Sequence, residues 1–188
     1  MSKAEQVYSF VDYKLQGIYR SGSSQAASLA KLRRGVGKQP GASSDVWEIT
    51  LAEMPESLFG YRGEPSYAEW AIHLALTLFA IHQQGKSEAV NAPGISFGQA
   101  VSRLIEPDRK NESGIKSRFD AVMTAKSIDR FAHYTRALVQ LMRAKDVKMD
   151  YPLFAKDIFD YQFNADRVRL RWAEAYYRVD ISSEMTES

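Results

Sequence analysis

Apolar residues along this chain recur at three- and four-residue intervals, and no segment shows the strict alternation of a half-buried strand. Between residues 4 and 19, Val7, Phe10, Val11, Leu15 and Ile18 fall on one helical stripe. A second helix is predicted over 24–34, with Ala26, Leu29 and Leu32 inward and Gly35 ending it in a left-handed conformation. The stretch 66–84, SYAEWAIHLALTLFAIHQQ, is apolar almost all the way round, so other helices must wrap it. Ser66 and Glu69 form a capping box at its start, and Gly85 closes it. Ser96 and Gln99 form a second box ahead of Phe97, Ala100, Val101, Leu104 and Ile105. Further stripes predict helices through Ile115, Phe119 and Val122, then from Ser127 through Phe131, Leu138 and Met142. Two more follow Asp150–Pro152 (Phe154, Ile158, Tyr161) and span 166–179 (Val168, Trp172, Ala175, Val179). Residues 47–63 follow no clear period. The sum is an all-α fold of about eight helices in two packed helical-bundle lobes, residues 1–90 and 91–180, with a flexible acidic tail at 181–188.

Composition narrows the chemistry. The 188 residues are 45% hydrophobic, enough for a sizeable core. There is no cysteine, which excludes disulfides, thiolate nucleophiles and cysteine-held metal sites. The first residues lack a signal-peptide pattern, and the longest apolar run is too short to span a bilayer, so a soluble, cytoplasmic protein is expected. Net charge is only +2, but it is unevenly spread. Residues 20–38 hold five basic residues and no acid, whereas 45–69 hold six acids and one arginine. The stretch 103–148 is basic again, with acids interspersed. Segregation of this kind can build a positive surface on a nearly neutral protein.

Catalytic candidates are few. His73 lies on the apolar helix, where a hydrogen-bonded core role is expected. His82 lies near that helix's C-terminus, where a cation would interact well with the dipole. Asp157 and Asp160 share a helix face and read as solvated acids. No compact metal-ligand pattern, phosphate loop or nucleophile motif is present, so no cofactor or metal is expected. Cations are the better signal. Lys31, Arg33 and Arg34 crowd the end of the second helix, and Lys38 follows in a loop. Arg136 and Arg143 stack on one flank of their helix, and Lys116 and Arg118 lie on the helix before it. Arg167, Arg171 and Arg178 form an outward stripe on the last helix, with Glu174 available to pair. Arginine forks fit phosphate oxygens, and such contacts hold a backbone without reading sequence.

Five segments in order carry a resemblance: LAKLRRG at 29–35, AEWAIHLALTLFAIHQQG at 68–85, GISFGQAVSRL at 94–104, SRF at 117–119 and DYPLFAKDI at 150–158. Together they resemble the CasB family, the small subunit of the type I-E CRISPR surveillance complex Cascade. The resemblance implies a non-enzymatic, all-α protein present in two copies, contacting the large and backbone subunits of the complex. It implies a basic surface that holds guide RNA, target DNA and the displaced strand of the R-loop, where strand exchange is near energetic balance. By position, it places Arg33, Arg34, Arg118 and Arg136 at basic sites of the family. A further basic position falls at or near Ser127, beside Lys126. Two other readings stay open at this point. One is a helical adaptor that binds only protein. The other is a hydrolase using His73 or the Asp157/Asp160 pair.

Overall fold

The long, nearly uniform apolar run folds as a helix enclosed on every side. The computed structural model describes the chain through residue 184, and side chains through residue 178. In it the central helix α4 (Tyr67–His82) is buried at every position from Ala71 to His82. Its wrapping comes from α1 (Lys3–Arg20), α2 (Gln25–Arg34), α7 (Ile128–Ala144) and α8 (Tyr151–Tyr161), while α1 and α8 also pack along each other. The remaining helices are α3 (Trp47–Thr50), α5 (Phe97–Ser102), α6 (Glu112–Met123) and α9 (Ala165–Glu184). Nine α-helices are thus present among the described residues, one more than the periodicity predicts; the addition is the four-residue α3, set between 3-10 turns in the stretch without a period.

Local chemistry explains the helix starts. The Ser66 hydroxyl accepts the Glu69 N–H at 3.0 Å, and the Glu69 carboxylate accepts the Ser66 N–H at 2.6 Å. Ser96 and Gln99 repeat the exchange for α5. Asp150 caps α8 through the Leu153 N–H at 2.9 Å and also accepts the Gly94 N–H at 2.8 Å. That second bond, with a single parallel bridge between Asn91 and Met149, stitches the 86–94 linker to the entry of α8. Substituting such a cap by alanine costs about 1 kcal/mol.

The far end of the molecule is an aromatic cluster around Trp172 of α9. Its ring centroid lies 4.9 Å from Phe97, 6.0 Å from Tyr161 and 6.1 Å from both Phe131 and Phe154. Tyr176, not Ala175, carries the buried stripe one turn on. Ala26 is exposed rather than inward, because only Leu29 and Leu32 of the short α2 reach the core. Helix α9 continues to Glu184, past the Val179 expected as its end; the Val179 side chain and residues 185–188 of the tail lie outside the described residues. Among the described residues no helix is long and apolar enough to cross a membrane.

Candidate nucleic-acid interface

Helix α2 ends in Lys31, Arg33 and Arg34, cations that suit the negative end of a helix dipole. Two of the three are engaged. Lys31 donates to Glu48 at 2.9 Å and Arg34 to Asp45 at 3.0 Å. The hydrogen bond from Lys31 holds the Glu48 carboxyl below its usual range. Both pairs are exposed and screened by water, so each adds little to stability and can be exchanged for another anion at small cost. Arg33 is half-buried and has no carboxylate partner among the described residues.

Gly35 ends α2, but not in the left-handed region: its φ is −82°. The requirement is space instead. A Cβ there would stand 3.1 Å from both the His73 ring and Val46. This close approach lets the Gly35 carbonyl accept from His73 Nε2 at 3.0 Å, which pins the following loop to α4. Burial lowers the His73 pKa, so the imidazole stays neutral and acts as an anchor. The turn then passes through Gly37, which does take positive φ (+76°), and delivers Lys38.

Lys38 faces α7 across α4. A groove of about 240 Å³ runs over Leu74, Thr77 and Leu78, with Lys38 on one wall and His133 and Arg136 on the other. Asp129 is the acid at this groove, and it belongs to the first turn of α7. Neither Lys38 nor Arg136 has an ion-pair partner among the described residues. Two turns beyond Arg136, Arg143 donates to Gln84 at 3.4 Å near the end of α4. Arg136 and Arg143 therefore follow the α4–α7 seam together.

The other two positions lie on α6, away from this groove. Lys116 pairs with Asp120 at 2.7 Å, and Arg118 donates to the Gly114 carbonyl at 2.8 Å. Of the eight cations singled out in the sequence, Lys31, Arg34 and Lys116 carry carboxylates. Arg33, Lys38, Arg118, Arg136 and Arg143 carry none among the described residues.

The acid and histidine candidates have interior roles. Asp157 is 4% exposed, not solvated. It accepts the Trp172 indole N–H at 2.6 Å and Arg171 at 2.5 Å. Burial raises its pKa, and the two donors pull it back. Arg171 also lies 3.5 Å from Asp160, so it leaves the outward stripe expected of it, while Arg178 pairs with Glu174 at 3.7 Å. His82 is not a helix-end cation: it is fully buried, contacts the Tyr151 hydroxyl through Nδ1 at 2.9 Å, and burial lowers its pKa to about 4. Among the described residues no three His, Cys, Asp or Glu side chains are placed to hold a metal.

The fold and groove define an all-helical protein that displays unpaired cations along a seam between helices. Residues 28–177 match the family model for the CRISPR-associated protein Cse2. Among solved structures, CasB from Thermobifida fusca superposes with a TM-score of 0.75 at 31% identity, over 91% of this chain and 97% of that one. CasB from M. ruber gives 0.72 at 21% identity, over 97% and 98%. A chain of a CRISPR RNA-guided surveillance complex gives 0.77 at 15% identity, over 97% and 99%. No curated protein matches the chain. The chain belongs to the Cse2, or CasB, family of CRISPR-associated proteins.

Proposed function

We propose that this protein is a non-catalytic subunit of a CRISPR RNA-guided surveillance complex, acting in the cytoplasm. Its cations hold the phosphate backbones of target and displaced DNA, and of guide RNA, and so stabilise the R-loop. Its protein partners are the large and backbone subunits and a second copy of itself. The observation that carries this reading is the meeting of Lys38 and Arg136, from distant parts of the chain, across one groove without a carboxylate partner for either. Family membership and the likeness to a surveillance-complex chain support it. His73 and Asp157, the groups a hydrolase would need, are committed to Gly35, Trp172 and Arg171.

The test is the salt dependence of binding of the whole protein to a labelled DNA duplex, read by fluorescence anisotropy. Five unpaired cations engaging phosphates give a slope of log affinity against log salt of about −4 to −5. Replacing Lys38 and Arg136 together by alanine is expected to weaken binding about tenfold and to flatten the slope by about 2. Replacing the ion-paired Lys31 and Arg34 instead should change it less. Affinity and slope that survive the Lys38/Arg136 double variant count against the reading and favour a protein-only adaptor.

A further inference from the structure

Next to the Lys38–Arg136 groove lies a larger one, of about 570 Å³, between the starts of α4, α7 and α9. Trp70 lines both grooves, so the two meet at its side chain. The second groove is built differently from the first. Its walls carry Tyr67, Trp70 and Tyr161 together with two cations, Lys126 and Arg169. Tyr67 is 51% exposed and meets the still more open Phe163 edge to face at 4.8 Å. The Trp70 indole N–H has no acceptor among the described residues. Arg169 lies over the Tyr161 ring at 5.3 Å and donates to its hydroxyl at 3.1 Å, while Asp166 steadies it at 3.0 Å. Lys126 is exposed and has no ion-pair partner among the described residues. The acids nearby, Asp129 and Asp166, occupy the first turns of α7 and α9, where they complement the helix dipoles.

Flat apolar faces alternating with cations suit one class of ligand. A duplex keeps its bases stacked inside and offers such a groove only phosphates. An unpaired strand offers both phosphates and base faces, and aromatic side chains or arginine planes take up the latter. An acidic peptide would satisfy the cations but leave the aromatic faces without a planar partner. We propose that the Tyr67–Trp70 groove is a base-stacking subsite for single-stranded nucleic acid, continuous with the phosphate contacts at Lys38 and Arg136. This inference rests on the nucleic-acid reading above and adds bases to what the protein contacts.

An abasic strand separates the two. The intact protein is titrated with a fluorescein-labelled twelve-thymidine DNA and with an abasic strand of the same length and charge. The thymidine strand is expected to bind about tenfold tighter, the scale of one stacked base. Trp70→Ala should remove that preference, whereas Trp70→Phe, which keeps a ring, should retain most of it. Because Trp70 packs partly against the core, Tyr67→Ala provides the second variant; it is exposed, should melt like the parent, and should reduce the preference severalfold. Lys38→Ala with Arg136→Ala should weaken both strands alike. Equal binding of the two strands by the parent protein, or variants that weaken both strands equally, overturns the stacking subsite alone. Absence of binding to either strand overturns the phosphate reading and the subsite with it.

Discussion

Replacing Gly98 by alanine is expected to lower stability by about 3 kcal/mol, roughly 6–12 °C in Tm for a chain of this length. Within a helix that exchange ordinarily gains about 1 kcal/mol, because alanine has the higher propensity. Here packing decides the sign. Gly98 lies in the first turn of α5 against the backbone of α9. A Cβ at this position would land on the Trp172 carbonyl oxygen and stand 2.9 Å from its carbonyl carbon. Both obstacles are main-chain atoms in mid-helix, so no rotamer change relieves them; α5 and α9 must move apart. The movement would carry Trp172 away from Phe97 and strain its bond to Asp157. Thermal melts and near-ultraviolet circular dichroism read the two consequences together. Gly17 supplies the control, since it is exposed on α1 and a Cβ there meets nothing within 4 Å. Gly17→Ala should stabilise the protein by about 0.5–1 kcal/mol. A Gly98→Ala variant as stable as Gly17→Ala would show that α5 and α9 are not in close contact.

Gly98 also marks where sequence reasoning ends. It sits inside a capping box followed by an apolar stripe, and both features were legible because they depend on neighbours three and four residues away. The same holds for α4, whose unbroken apolar run has only one stable location. Demands set by distant partners left no local mark. Gly35 reads as an ordinary left-handed helix stop, yet it is small because His73 and Val46 crowd it. Asp157 reads as one of two solvated acids, yet it is the buried acceptor that orients Trp172. The basic site was legible in part. Counting charges along the chain located the cations of α2 and α7. It could not show that the acidic run folds back so that Asp45 and Glu48 occupy Arg34 and Lys31. Nor could it show that Lys38 faces Arg136. Arg169 was missed altogether; its signal would have been its proximity to Tyr161, which exists only after α8 and α9 pack.

Acidification from pH 6.5 to pH 4 is expected to remove about 3 kcal/mol of stability through His82 alone. The imidazole is buried at the end of α4, against the Tyr151 hydroxyl. Burial is the main reason its pKa falls from 6.5 to about 4; Lys86 and Arg143 add to the fall, while the Val147 carbonyl and Asp146 oppose it. The sign follows from the two states. Above pH 6.5 the ring is neutral whether the chain is folded or not, and stability is at its full value. Between 6.5 and 4 the unfolded chain takes up a proton that the folded protein refuses, so stability declines until the folded ring also titrates. His73, likewise lowered by burial, acts in the same direction. Asp157 acts in the opposite one, because its raised pKa lets the folded protein keep a proton that the unfolded chain releases. Exposed acids held low by cations, such as Asp146 beside Lys86, also lose their contribution on acidification. The difference between the parent and His82→Gln isolates the histidine: urea denaturation at several pH values should give a steeper decline for the parent between pH 6.5 and 4. Parallel profiles would mean that His82 is solvated in the native state, and that the α4–α8 contact around Tyr151 is looser than its geometry indicates.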